Sequence, residues 1–182
     1  MNRIYGLYRL LSKAQSTTLI FIFFAIICFC GCGDTGGYSN SFLYPEDIRT
    51  VYVQMFDNQS FYRGIEYELT DALAKRIEAE TPYKIISSPD HADTVISGKI
   101  TTVGQATLSS ERQTGRALEK ELEVRAIVSW KNLKSGRLMV NNEAVAASAS
   151  YSEWQNQSLD YASILAANNL ARRIVELMES KW

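Results

Sequence analysis

Three cysteines, Cys28, Cys30 and Cys32, fall within one short stretch, and the 182-residue chain has no others. Thiols this close suit metal ligation, disulfide exchange or acylation. Metal ligation would need further Cys or His at ligand spacing, and the only histidine, His91, stands far along the chain. The flanking residues decide. Residues 1–18 carry Arg3, Arg9 and Lys13 and no acid, and Leu19 to Phe29 is an uncharged run, LIFIFFAIICF. A basic segment followed by a short apolar one has the form of a secretory signal. It falls short of the ~20 residues a spanning helix needs.

The stretch Phe29–Cys30–Gly31–Cys32 resembles the bacterial lipobox, in which an apolar residue, a small residue and Gly or Ala precede an obligate Cys. Cys32 fits best, because Ile27 and Phe29 stand where Cys28 and Cys30 would need a small neighbour. The resemblance implies a signal peptide over 1–31, a diacylglyceryl group on the Cys32 thiol with palmitate among its acyl chains, and cleavage that makes Cys32 the first mature residue. Gly33 after the Cys, where Asp would mark inner-membrane retention, favours the outer membrane. The mature chain then has no thiol left for an intramolecular disulfide. Losing three basic residues and no acid takes the net charge from −1 to −4. A mildly acidic domain has no electrostatic footprint for nucleic acid, and the acyl chains hold it to the membrane.

The rest of the chain offers little reaction chemistry. His91 follows Pro89–Asp90 and is expected in an exposed turn. Asp90, His91 and Asp93 lack a second His or a Cys for a metal site. The acid pairs Glu66/Glu68, Glu78/Glu80 and Glu119/Glu121 suit solvated faces better than a catalytic pair. No Gly-rich phosphate loop precedes a helix. The expectation is a protein that is not an enzyme, with no catalytic residue, no metal and no cofactor. One basic feature stands out: Ser110 to Lys120, read as part of a hairpin loop, carries Arg112, Arg116 and Lys120, which could meet lipid phosphates.

These residues need elements to position them. Residues 32–42, rich in Gly, Ser and Asn, read as a lipidated tether, and 43–182 as one domain. Arg49 to Phe56 alternates as a strand, ended by a turn at Asp57–Ser60. Ile65, Leu69, Leu73 and Ile77 recur at helical spacing within Gly64–Glu80. Tyr83–Ile86 and Ala92–Val103 read as strands, with Gly98 marking a bulge or close backbone approach. Thr107–Leu118 reads as a polar hairpin loop. Glu121–Leu133 alternates cleanly, turns at Lys134–Gly136 and pairs with Arg137–Ser150. Leu159–Lys181 closes as a helix with a stripe of Ile164, Ala167, Ala171, Ile174 and Met178, capped by Ser158 or Asp160. The expected class is α+β: a two-layer sandwich with two helices packed on one face of a sheet of about four strands.

Several segments together resemble the LptE lipopolysaccharide-assembly lipoproteins. They are Val51–Phe56 with Asp57–Asn58–Gln59–Ser60–Phe61, Gly64–Ile65–Glu66, Leu69–Thr70–Asp71–Ala72–Leu73, and Ala92–Asp93 through Gly98–Lys99–Ile100. The resemblance implies an outer-membrane, lipid-anchored protein on the periplasmic side or inside a barrel. Such proteins plug the barrel protein LptD, help it assemble and bind lipopolysaccharide on its way to the outer leaflet. Expected partners are therefore LptD, lipopolysaccharide and the membrane, through the acyl chains. Arg112, Arg116 and Lys120 are the residues assigned to lipopolysaccharide. The alternative is a regulatory lipoprotein of the curli-secretion or penicillin-binding-protein-activator type, whose small domains share the Ala92–Ile100 pattern.

Overall fold

The computed structural model describes residues 43–179, so Cys32 and the signal and tether segments lie outside the described residues. The elements run β1 (Thr50–Val53), β2 (Asp57–Asn58), α1 (Ile65–Glu80), β3 (Lys84–Ile85), β4 (Thr94–Ser110), β5 (Ala117–Asn132), β6 (Leu138–Tyr151) and α2 (Leu159–Leu177). They build one mixed sheet in the order β3-β1-β4-β5-β6, with β2 also paired to β4. The first three strands associate in parallel and the β4–β5–β6 meander is antiparallel. Both helices pack against each other, α1 also beside β1 and β3 and α2 along β5 and β6. The α+β class is as the sequence implies, but the sheet has six strands where about four were expected.

Two short pairings raise the count. Asp57–Asn58, expected as a turn, lies parallel to Lys99–Ile100 and continues the line of β1 after a lapse in pairing. The lapse turns Phe56 inward, where it is 2% exposed. Its ring fills the space over Gly98: a Cβ there would stand 2.5 Å from Phe56 Cε1 and 2.6 Å from the Ile127 carbonyl. The close approach read from Gly98 is therefore real, and its cause is the inward Phe56.

The core lies between the sheet and the helices. Leu122, Val124, Ala126, Val128 and Trp130 of β5 are all buried, as their alternation requires. Ile65, Leu69, Ala72, Leu73 and Ile77 of α1 are buried in the same core. In α2 the buried set is Ala162, Ser163, Ala166, Ala167, Leu170, Ala171, Ile174 and Val175. Ile164, expected in that stripe, is 42% exposed. Four alanines in the buried set, Ala162, Ala166, Ala167 and Ala171, allow α2 to lie close to the sheet, with Ile164 off this face. Ser158 caps the helix, its Oγ accepting from the Tyr161 N–H at 3.1 Å. At one end of the layer Tyr44, Tyr83 and Trp130 form an aromatic cluster, with ring centres 5.8 and 6.1 Å apart.

Candidate functional site

The β4–β5 hairpin is longer than the sequence suggests. Thr107–Ser110 and Ala117–Leu118, expected as loop, are paired strand, and the true loop is Glu111–Arg116. Both faces of this part are exposed, so no apolar alternation marks it. The strand pattern was hidden by polarity because the hairpin runs out beyond the helices. Gly115 adopts a left-handed φ of 71° in the loop. There the Glu111 N–H donates to the Arg116 carbonyl at 2.8 Å and the Gly115 N–H to the Glu111 carbonyl at 2.8 Å.

The three cations assigned to this region are placed differently from one another. Lys120 lies in β5, opposite Tyr151, rather than in the loop. Its ammonium pairs with Glu153 at 2.6 Å. Arg116 stacks its guanidinium carbon 4.3 Å from the centre of the Trp154 ring. Arg112 is exposed at the tip and forms no ion pair among the described residues. The hydrogen bond and charge of Glu153 raise the Lys120 ammonium pKa, and reciprocally Lys120 lowers that of Glu153.

Glu153 and Trp154 sit in a 3-10 turn, Glu153–Gln155, that follows β6 and runs beside the outer end of the hairpin. Ser152 Oγ donates to the Leu118 carbonyl at 2.7 Å, and the Ser152 N–H donates to Gln157 Oε1 at 2.8 Å. The sequence reading missed this brace. A lone Trp among Ser, Gln and Asn residues was the signal that pointed to it. The result is a braced projection whose tip carries Arg112, without an ion pair among the described residues, with the exposed indole of Trp154 beside it.

The opposite end of the sheet is closed by Asp93. Its Oδ2 accepts from the Arg49 and Thr50 N–H groups at 2.9 and 3.0 Å, and its Oδ1 pairs with Lys134 at 2.5 Å. The Lys134 ammonium, with the Arg49 N–H next, holds this carboxyl well below the usual range. Asp93 thus ties the start of β1 and β4 to the β5–β6 turn, and it is a structural group rather than a metal ligand. Residue His91 lies exposed in the 3-10 turn Pro89–His91, as expected. Among the described residues no cluster of three His, Cys, Asp or Glu is arranged for a metal ion. Likewise, no described helix is long and apolar enough to cross a membrane.

Of the acid pairs, Glu66 has a specific partner. Its Oε2 accepts from Asn58 Nδ2 at 2.6 Å and from the Gly64 N–H at 3.0 Å. Partial burial works against ionisation, but its hydrogen bonds outweigh it and the pKa is lowered. The carboxylate braces the loop into α1.

A family model described as lipopolysaccharide-assembly matches residues 48–180. No curated protein matches the chain. Solved structures resemble it in part. A hypothetical protein of Chlamydia trachomatis aligns at TM-score 0.49 and 13% identity, covering 70% of this chain and 94% of that one. Uncharacterized lipoprotein B of Nitrosomonas europaea aligns at TM-score 0.48 and 14% identity, over 71% and 81% of the two chains. The PelC dodecamer of Paraburkholderia phytofirmans aligns at TM-score 0.46 and 12% identity, over 77% and 96%.

Proposed function

Because the chain belongs to the LptE family of lipopolysaccharide-assembly proteins, we propose that it is an outer-membrane lipoprotein that seats in the LptD barrel, helps that barrel assemble and takes part in delivering lipopolysaccharide to the outer leaflet. The family match over nearly the whole described domain carries this reading. Acyl chains on Cys32 hold the domain to the inner leaflet. Its work is binding and positioning, with no bond made or broken by the protein.

The braced hairpin suits that work. β4 alone, 17 residues long, reaches about 55 Å at ~3.3 Å per residue. The hairpin carries its tip clear of the helices, as a plug in a barrel requires. At the tip Arg112 is available for a lipid phosphate, whereas Arg116 must exchange the Trp154 face for it. Lys120 acts on the hairpin through Glu153 and reaches no lipid while that pair holds.

Depleting the chain from cells tests the role. Surface lipopolysaccharide, read by an impermeant label, should fall several-fold and return with the full-length chain. Unchanged surface labelling in depleted cells would overturn the reading.

A further inference from the structure

The two edges of the sheet are finished differently. β3 ends it on one side with two residues, Lys84 and Ile85. β6 ends it on the other with 14. Short strands, prolines and charged side chains commonly keep a sheet edge from pairing with another chain. β6 has no proline and one charged residue, Glu143. Its register against β5 shifts between Val140 and Glu143, where Asn142 holds a left-handed φ of 50°. From Glu143 to Tyr151 the register then runs without a break.

Ser148 shows which groups of this stretch face outward. In an antiparallel ladder alternate residues turn both N–H and C=O away from the neighbouring strand. The Ser148 carbonyl accepts from Asn169 Nδ2 of α2 at 2.9 Å, so it points away from β5. By the same alternation Ala144, Ala146 and Ser150 present their N–H and C=O groups at the edge. All three residues are exposed. Among the described residues no turn or loop bond uses their main chain, and Asn169 is the side chain that reaches this edge. The Ser148 carbonyl has two lone pairs and keeps one open.

A row of open main-chain groups takes another extended chain, and the side chains beside it say which. A foreign peptide at a sheet edge is selected by pockets for its alternate side chains. Ala149 and Tyr151 point into the core, so Ala144, Ala146, Ser148 and Ser150 line the helix-free face, and they are too small to wall a pocket. A second copy of β6 needs none. Run antiparallel against itself with Ala147 on the two-fold axis, Ala144 faces Ser150, Ala146 faces Ser148 and Glu143 faces Tyr151. Every outward-turned residue then meets another, and no like charges stand opposite each other. Asn169 also lays one line of α2 along this edge, with Tyr161 and Leu165 at helical spacing before it. Tyr161 is 46% exposed, so two such lines bring apolar surface beneath the joined edges.

We propose that β6 is a self-association edge, through which two copies of this chain pair antiparallel over Ala144–Ser150 and join their sheets into one. Where the functional reading holds, the paired copies are those not seated in a barrel. The pairing itself rests on the edge alone.

The test uses the full-length chain in cells. Across the two-fold axis the Ala147 positions form a pair without direct hydrogen bonds, at a Cα spacing of about 4.5 Å, which a disulfide can bridge. Ala147→Cys should give a disulfide-linked dimer on mild oxidation, and Lys84→Cys on the opposite edge should give none. Adding Ala146→Lys to Ala147→Cys should cut the dimer at least tenfold with an unchanged melting temperature, and adding Ala146→Ser should retain it. No dimer from Ala147→Cys, an equal yield from Lys84→Cys, or a yield indifferent to Ala146→Lys overturns the proposal. Linkage of position 147 to a different protein overturns the second copy as the occupant. None of these readouts involves a barrel, so the pairing and the functional reading fail separately.

Discussion

The guanidinium carbon of Arg116 lies 4.3 Å from the centre of the Trp154 ring, joining the tip of the β4–β5 hairpin to the turn after β6. A cation over an exposed indole contributes about 0.5–1 kcal/mol. Trp154→Ala should therefore leave global stability nearly unchanged and free the tip. Amide exchange at 111–116 should quicken, and trypsin should cut after Arg112 and Arg116 sooner than in the parent. Unaltered exchange and cleavage would show that the brace does not hold the hairpin.

Asp93 supplies a pH-dependent clasp at the other end. Its folded pKa is depressed, chiefly by Lys134 and then by the Arg49 N–H. Its stabilisation is thus present above the unfolded carboxylate pKa of about 4 and lost as pH falls toward the folded value. Asp93→Ala, which strands two N–H groups and Lys134, should cost about 2–4 kcal/mol at neutral pH by denaturant titration. Asp93→Asn should cost less and flatten the acid limb of the stability curve. An acid limb as steep in Asp93→Asn as in the parent would rule out Asp93 as its source.

Gly98 is required by contact, not by a special φ. Any Cβ there collides with the Phe56 ring and the Ile127 carbonyl. Gly98→Ala should destabilise by about 1–3 kcal/mol, the usual cost of overpacking. Pairing it with Phe56→Leu, whose smaller side chain vacates the space, should recover part of that loss relative to Phe56→Leu alone. Strict additivity of the two changes in thermal unfolding would contradict the clash.

How far such features are visible in the sequence depends on burial. β5 is legible residue by residue because one face is sealed by helices and the other is not, so Leu122 to Trp130 alternate with Glu123, Arg125, Ile127 and Ser129. The same rule hides the outer hairpin: Thr107–Ser110 is strand with water on both faces, and nothing in its side chains says so. β2 is two residues long, below what any periodicity can register. Gly98 advertised a close approach but not its partner, since Phe56 reaches it only through a lapse in pairing. At the candidate site, Arg112, Arg116 and Lys120 were visible as a group of cations. That Arg112 has no ion pair among the described residues while the other two are braced depends on Glu153 and Trp154, more than thirty positions away in the chain.

The acyl anchor at Cys32 is expected to be essential for membrane placement. Cys32→Ala should abolish palmitate labelling and leave a precursor that migrates above the mature form. Labelling that persists in this variant would refute Cys32 as the attachment site.

Affinity purification of the full-length chain from detergent-solubilised outer membranes tests the central claim most directly. A tightly held barrel protein of the LptD type, near one copy per copy of this chain and retained through high-salt washes, is the predicted result. Recovery of the intact, lipidated chain without any barrel would contradict the account.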